Sequence, residues 1–535
     1  MYLCYNKPAS FSFSGWQKEA LPLGNGSIGA KIFGGAQCEM IQFNENSLFS
    51  GSKNVFGSFQ AFGEIYLNFN TELPYSENSY IRDLDYDTAS AMVAFKKGSE
   101  GHNRHYFINR EYNVFIGKID STGDSLLDFT VTLQSEQNGE VVYENDFAYL
   151  SGTVNSNNGI ENENGEDAND LKYGCAIKVI PDNGKISTDE NGITVNDCFS
   201  AVIIMSCKTD FDECENPLEK ATENVTKASK FTFDQLFKSH INDCRKYICK
   251  GKINIGQVEN NTTVEYLLKH YNRNRADIEA LLFDMGRYIV FSSLRGVLPM
   301  NESGIWNSVN HPIGGGIGFD NTQKSDEMKQ VAYFMGMSEF AKTIRDVIPS
   351  KAQKVNAFGC EKETQEKYVP QKKGFFFKAA KSGDAFYAIK RAYDAVCEGD
   401  SQKAYKIIKE FISTFIYNNL FCEDLYAVIA YTATVYSMLV QCSIKYTEIL
   451  PCLPTEWSVG SIRDIFCDDY LLSFEWSGGK FRKGQVTALN DGECCLSYKG
   501  KYIGVSDKDG NDVETKFEDK VVSFKIKKDE TYLIW

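Results

Sequence analysis

The feature that most constrains this chain is a change of hydrophobic period, twice, along its length. Up to about residue 235 apolar residues come in short or alternating runs: "IGAKIFGG", "MIQFNENSLFSG", "GEIYLNFN", "TASAMVAFKKG", "RHYFINREYNVFIGKID", "LLDFTVTLQ" and "SAVIIMSC". Turn residues separate them at intervals of about ten, the pattern of an antiparallel sandwich. Spacing of three and four then takes over in "TTVEYLLKHY", "DIEALLFDMGRYIVFSSL", "TQKSDEMKQVAYFMGM", "EFAKTIRDVI", "DAFYAIKRAYDAVCEG", "SQKAYKIIKEFISTFIYN" and "EDLYAVIAYTATVYSMLVQC", which predicts seven helices. Ser401 is the expected N-cap of the sixth. From "LPCLPTEW" onward short alternating strands return. The period therefore predicts an N-terminal antiparallel β-sandwich over 1–235, a linker over 236–261, a helical domain over 262–445 and a small C-terminal antiparallel β domain over 446–535. The polar run "NSNNGIENENGEDANDLK" reads as a solvated loop inside the first of these.

The 535 residues carry 57 basic against 72 acidic side chains, a formal net charge of −15. That balance argues against nucleic acid or an anionic membrane surface as partner. No apolar run approaches the ~18 residues of a membrane span, and "MYLCYNKPASFSFSGWQKEA" lacks the basic-then-apolar order of a secretory leader. Sixteen cysteines show no zinc-type spacing, so they read as reduced thiols in a cytoplasmic protein. The five histidines are scattered; His102 and His105 lie three apart in a strand-like stretch, and neither a metal nor a cofactor is expected.

One stretch stands apart. "GIWNSVNHPIGGGIGFDNTQ", residues 304–323, has an exposed-looking Trp306, several amides, a triple glycine and almost no charge. It cannot be a helix, and its glycines suit tight turns or close approach to a ligand. Gly24, Gly26 and Gly29 read as turn glycines, and Asn25 and Asn44 as partners of buried backbone.

The order of these regions and certain words in them resemble glycoside hydrolase family 95, the inverting α-L-fucosidases. "WQKEALPLGNGSIGAKIFGGAQCEMIQFNENSLFSG" (Trp16 to Gly51) is similar to the family's Trp, then "EALPLGNGRLGAMVFG", then "IQLNEDSLWSG". "FDMGRYIVFSSLRGVLPMNESGIWN" resembles the entry to the family's helical barrel, while "NNLF" and "TEILPCLPTEWSVGSIRDIFCDDYLLSFEW" resemble its exit and its C-terminal β domain. The resemblance implies an (α/α)6-type barrel, here incomplete. Twelve helices need roughly 200 residues, and about 180 are present. It also implies a fucosylated oligosaccharide or another glycan as ligand, with Trp306 and Asn307 as substrate-binding candidates.

Inverting hydrolysis needs a carboxylic acid on one face of the glycosidic bond and a base on the other, ~6.5–9.5 Å apart. The family holds its water with two asparagines in a Thr-Asn-Ile-Asn word, supports them with an Asp in Asp-Gly-Asn-Phe-Gly, and takes its acid from Ser-Pro-Glu-Asn. Laid on this chain without gaps from Trp306, the asparagines fall on Asn321 and Gln323. Counted back from Met438, the Asp falls on Tyr426 and its loop on Ala427, Val428, Ile429 and Ala430, a helical pattern. No Ser-Pro-Glu-Asn word occurs. The remaining carboxylate candidates are Glu361 or Glu363 in "AFGCEKETQEKY" and Asp424 or Glu423 beside Tyr426. Three readings follow: a hydrolase with recruited carboxylates, a non-catalytic glycan-binding or scaffold relative, and a phosphorylase on the same β–α–β plan, for which no basic phosphate pocket is evident.

Overall fold

The structure is a computed structural model. It describes residues 2–535 apart from 53–54, 70–74, 123–125, 138, 155–170, 213, 256–261, 272–275, 297, 299, 311–324, 338 and 341–383. The polar run at 155–170 and most of "EFAKTIRDVI" fall outside the described residues.

Antiparallel sheets dominate and helices are the minority. A nine-stranded sheet runs in the order Tyr2–Tyr5, Ile81–Asp85, Ser90–Lys97, Glu100–Asn109, Val114–Ser121, Ser200–Thr209, Lys172–Asp182, Phe147–Thr153, Glu140–Glu144. A seven-stranded sheet runs Lys185–Asp189, Gly192–Cys198, Leu127–Gln134, Gly63–Phe69, Cys38–Glu45, Ile28–Ile32, Leu21–Gly24. Their inward side chains, among them Ile41, Leu67 and Val131 from one and Tyr106, Ile177 and Met205 from the other, share one apolar core. Deep in it Glu39 is paired with Arg104 at 2.9 Å and accepts from the Gly34 N–H, so the carboxylate is not left bare.

The expected linker, 236–261, is not one. The helix Phe233–Tyr247 fills its first half, opened by a capping box between Thr232 and Gln235. Lys252–Asn254 then joins the C-terminal sheet beside Val459–Cys467. A second helix missed by period, Pro217–Ala228, lies inside the stretch read as all β; Asn216 caps it and Pro217 occupies its first turn. Both helices are amphipathic and cover the outer face of the nine-stranded sheet.

Downstream, Ala276–Ser293 and Leu425–Leu439 are buried on every side, as central helices must be. Ser325–Phe334, Ala385–Cys397 and Ser401–Phe415 complete this layer. Asp400, not Ser401, caps the last of these, its carboxylate accepting from the Lys403 N–H at 2.9 Å. Asp is as good a cap as Ser, so the local signal was shared by two adjacent residues.

The C-terminal β domain has a six-stranded and a five-stranded sheet, antiparallel but for the pairing of Thr447–Ile449 with Gly492–Ser497. Glu279 joins it to the helices. This buried carboxylate accepts from Trp457 Nε1 at 2.7 Å, Tyr271 OH at 2.8 Å and Tyr405 OH at 3.0 Å. Burial pushes its pKa up and the three donors hold it down.

Candidate active site at the sheet–helix seam

The site region is a seam between the seven-stranded sheet and the segment that leaves the Ala276–Ser293 helix. Close approach is possible because the sheet presents glycine there. A Cβ on Gly29 would lie 2.7 Å from the Ile305 carbonyl oxygen, and one on Gly24 2.9 Å from that of Ser292. Gly26, at φ +94°, packs against the Arg295–Gly296 backbone. The motif glycines thus do more than turn the chain: they let one backbone rest on another.

Polar groups stitch the seam. Trp306 Nε1 donates to the Leu23 carbonyl at 2.8 Å, and Asn46 Nδ2 to that of Leu298 at 2.7 Å. Gln42 accepts from Trp16 Nε1 at 2.9 Å and donates to the Asn307 carbonyl at 2.6 Å. Asn419 donates to the Gln17 carbonyl at 3.0 Å. Asn25 accepts from the Ser27 and Ile28 N–H groups and donates to Asn113, which is the backbone-satisfying role expected of it. Asn44 differs: its buried Oδ1 has no partner.

Lys31 lies in the middle of this seam. Alternate residues of a strand share a face, so Gly29 and Lys31 look the same way as their cross-strand partners Asn44 and Gln42. Lys31 is 1% exposed, and its Nζ has no hydrogen-bond partner. It sits 3.9 Å from the Phe421 ring centroid, 5.3 Å from Trp16 and 5.6 Å from Trp306. A ring face offers an ammonium about 0.5–2 kcal/mol. Taking the charge out of water costs several kcal/mol, so burial holds the amine well below the usual lysine range.

The structure places the sequence candidates unevenly. Trp306 is 1% exposed, contrary to its exposed look; a carbonyl from a strand far back in the chain takes its N–H. Asn307 is buried beside it, its Nδ2 without a partner. Tyr426 is in the first turn of a continuous helix, its OH donating to the Met300 carbonyl at 2.7 Å. Burial first, then the nearby charges of Asp424 and Glu302, raise its pKa further above the ordinary tyrosine value. Asp424 is the N-cap of that helix and accepts from the Tyr426 N–H at 3.0 Å, so its carboxylate is engaged in capping; Glu423 is exposed. Asn321, Gln323, Glu361 and Glu363 lie outside the described residues. Sequence reasoning missed Lys31, whose signal was a lysine inside an otherwise apolar strand.

Three family models match the chain. The N-terminal domain of glycosyl hydrolase family 65 matches residues 3–56 and 52–214. The catalytic domain of glycosyl hydrolase family 95 matches 232–315, and the C-terminal domain of glycoside hydrolase family 95 matches 441–534. The chain is a glycoside hydrolase family 95-like protein. Alpha-L-fucosidase 2 of Arabidopsis thaliana is 24% identical over 371 residues, 56% of this family 95-like chain and 44% of the relative. Probable alpha-fucosidase A of Aspergillus niger is 24% identical over 366 residues, covering 57% and 45%. The chain thus spans less than half the length of these curated relatives. Among solved structures, a putative kojibiose phosphorylase from human microbiome superposes with a TM-score of 0.48 at 9% identity, covering 98% of each chain. A bacterial glucoamylase complexed with acarbose gives 0.33 at 10% identity, covering 65% of this chain and 52% of that one. Among the described residues no group of three or more His, Cys, Asp or Glu could hold a metal ion, and no helix is long and apolar enough to cross a membrane.

Proposed function

We propose that this glycoside hydrolase relative is an α-L-fucosidase-related protein of cytoplasmic type that binds a fucosylated oligosaccharide or another glycan at the seam. It hydrolyses α-L-fucosides weakly or not at all. The helices are read here as an incomplete (α/α)6-type barrel, with Trp306 and Asn307 at its mouth. The observation that carries the reading is Tyr426. It stands where the family's supporting Asp aligns, inside a helix and with its hydroxyl committed to a backbone carbonyl. An unperturbed tyrosine titrates near ~10 and is protonated at neutral pH, so Tyr426 cannot strengthen a base relay. Its neighbour Asp424 already caps the helix. A positioned acid or base typically contributes about 10²–10⁴-fold, and losing both leaves binding without much turnover.

The test is hydrolysis of an aryl α-L-fucoside by the pure protein, beside a homologue carrying the full set of motifs. The expected rate is indistinguishable from buffer. Ordinary enzyme rates that vanish in Glu361→Gln or Asp424→Asn would overturn the proposal in favour of recruited carboxylates. Titration of fucose or a fucosylated glycan then separates a binder from a scaffold.

A further inference from the structure

The C-terminal β domain sets two thiols against each other. Cys442 ends the strand Val440–Cys442 at the edge of the five-stranded sheet, and Cys467 ends Val459–Cys467 in the six-stranded sheet. Their sulfurs are 3.7 Å apart, in van der Waals contact across the two sheets, and both side chains are 3% exposed. Register holds the contact from either side. Cys442 stands opposite Thr447 in one ladder and Cys467 opposite Tyr470 in the other, and the Thr447 and Tyr470 hydroxyls meet at 2.9 Å. The crossing of the two hairpins is therefore fixed by two adjacent contacts, one between hydroxyls and one between sulfurs.

Buried cysteines are ordinarily inert small hydrophobes, but one member of this pair can be reached. The strand of Cys442 is three residues long and leads into the Ser443–Tyr446 turn, where Ile444 is 69% exposed. A short edge strand opens locally at a fraction of the cost of global unfolding. The Thr447 hydroxyl is directed at the Cys442 sulfur, at 3.6 Å. Cys467 is the more enclosed partner: burial first, then Cys442 itself, pushes its thiol well above the ordinary range.

We propose that Cys442 and Cys467 form a reversible disulfide when the protein meets a low-molecular-weight disulfide such as oxidised glutathione. The Cys442 thiolate attacks one sulfur of the small disulfide and expels the other as a thiolate, leaving a mixed disulfide on Cys442. The Cys467 thiolate then attacks the Cys442 sulfur, forms an S–S bond of about 2.05 Å, and expels the second small thiolate. The two protons lost by the cysteines go to the two small thiols, so the protein is oxidised by two electrons and the small disulfide reduced by two. In a reducing cytoplasm the pair rests as thiols, and the bond forms when the thiol–disulfide balance shifts. It closes a loop between positions 25 apart, which removes open conformations from the unfolded chain. Val440 directly follows the buried helix Leu425–Leu439, so the bond anchors the end of that helix to the six-stranded sheet. None of this depends on the sugar-binding reading.

The test equilibrates the full chain in buffers of graded reduced-to-oxidised glutathione ratio. Equilibrium is approached from the reduced native protein and from protein refolded out of urea, so slow access to buried thiols cannot imitate absence of the bond. Non-reducing peptide mapping after acid quench is expected to join the Cys442 and Cys467 peptides in most molecules at the oxidising end, from both directions. The exposed Cys249 is expected to carry glutathione instead. The oxidised protein should melt above the reduced one, with dithiothreitol reversing the shift and Cys467→Ala, treated alike, lacking it. Thiols or glutathione adducts at both positions from both directions, or a bond from Cys467 to the buried Cys494, would overturn the proposal. A joined pair that melts no higher than the thiols would overturn the bracing.

Discussion

Two charged side chains are buried where the helices meet a β-rich body, and they are treated in opposite ways. At the C-terminal junction Glu279 accepts from an indole and two phenols. At the N-terminal seam Lys31 has three ring faces and no hydrogen-bond partner. A satisfied buried charge behaves as a cross-brace: each donor around it would be orphaned by its loss. An unsatisfied one costs stability continuously, and persists where something other than stability keeps it. The first junction is finished as built, whereas the second leaves its amine without a hydrogen-bond partner.

Glu279→Leu should separate the two junctions most strongly. It strands Trp457 Nε1, Tyr271 OH and Tyr405 OH at once. At about 1–3 kcal/mol per orphaned buried group, urea denaturation should show a loss of roughly 3–9 kcal/mol. A loss under about 1 kcal/mol would show that the brace carries nothing. Gly29→Ala attacks the other junction through its backbone contact with Ile305; about 1–3 kcal/mol of destabilisation is expected from overpacking, with weaker sugar binding in the same titrations.

Lys31→Met should move stability the other way. Removing an uncompensated amine should stabilise the protein by about 1–3 kcal/mol at neutral pH. The pH dependence follows from the depressed folded-state pKa. The unfolded amine titrates near 10.5 and the folded one well below it, so the unfolded chain binds more protons between the two values. Wild-type stability should therefore rise with pH through that window and fall as pH drops through it. Denaturant midpoints for Lys31→Met should lack that slope; an unchanged slope would mean that Lys31 is charged and solvated in the folded state. The smallest effect is expected from Asp424→Asn. Asparagine caps as well as aspartate, so stability should change by only a few tenths of a kcal/mol and glycan binding should not change. A loss of fucoside turnover in this variant would give the carboxylate a chemical role.

Period alone located the main strands and the described helices from Ala276 to Leu439, because burial on one face or on all faces writes itself into local spacing. It missed Phe233–Tyr247 and Pro217–Ala228, although the pair Thr232 and Gln235 and the pair Asn216 and Pro217 were there as cap signals. Those helices lie on a sheet with one flank in water, so their apolar stripes are thin. The seam was the least legible part. Trp306 looked exposed because its partner, the Leu23 carbonyl, is on a strand 283 residues earlier. Gly29 looked like a turn residue because the Ile305 backbone that crowds it is equally distant in sequence. Lys31 was passed over because one lysine in an apolar run is ordinarily a solvent-facing residue of a half-buried strand, and here both faces of the strand are covered.

The same distances set a timetable for biosynthesis. The hydrogen bonds that close the seam join residues 252, 283 and 402 positions apart. At about 5–20 residues per second of translation, the glycine-lined face waits roughly 15–60 s before Trp306 has even been made. During that interval the strand Leu21–Gly24 is the open edge of its sheet, with Ile28–Ile32 beside it, and both lack the segment that covers them. A nascent chain of this design is most exposed to misassembly with its neighbours on the polysome, before its last partner leaves the ribosome.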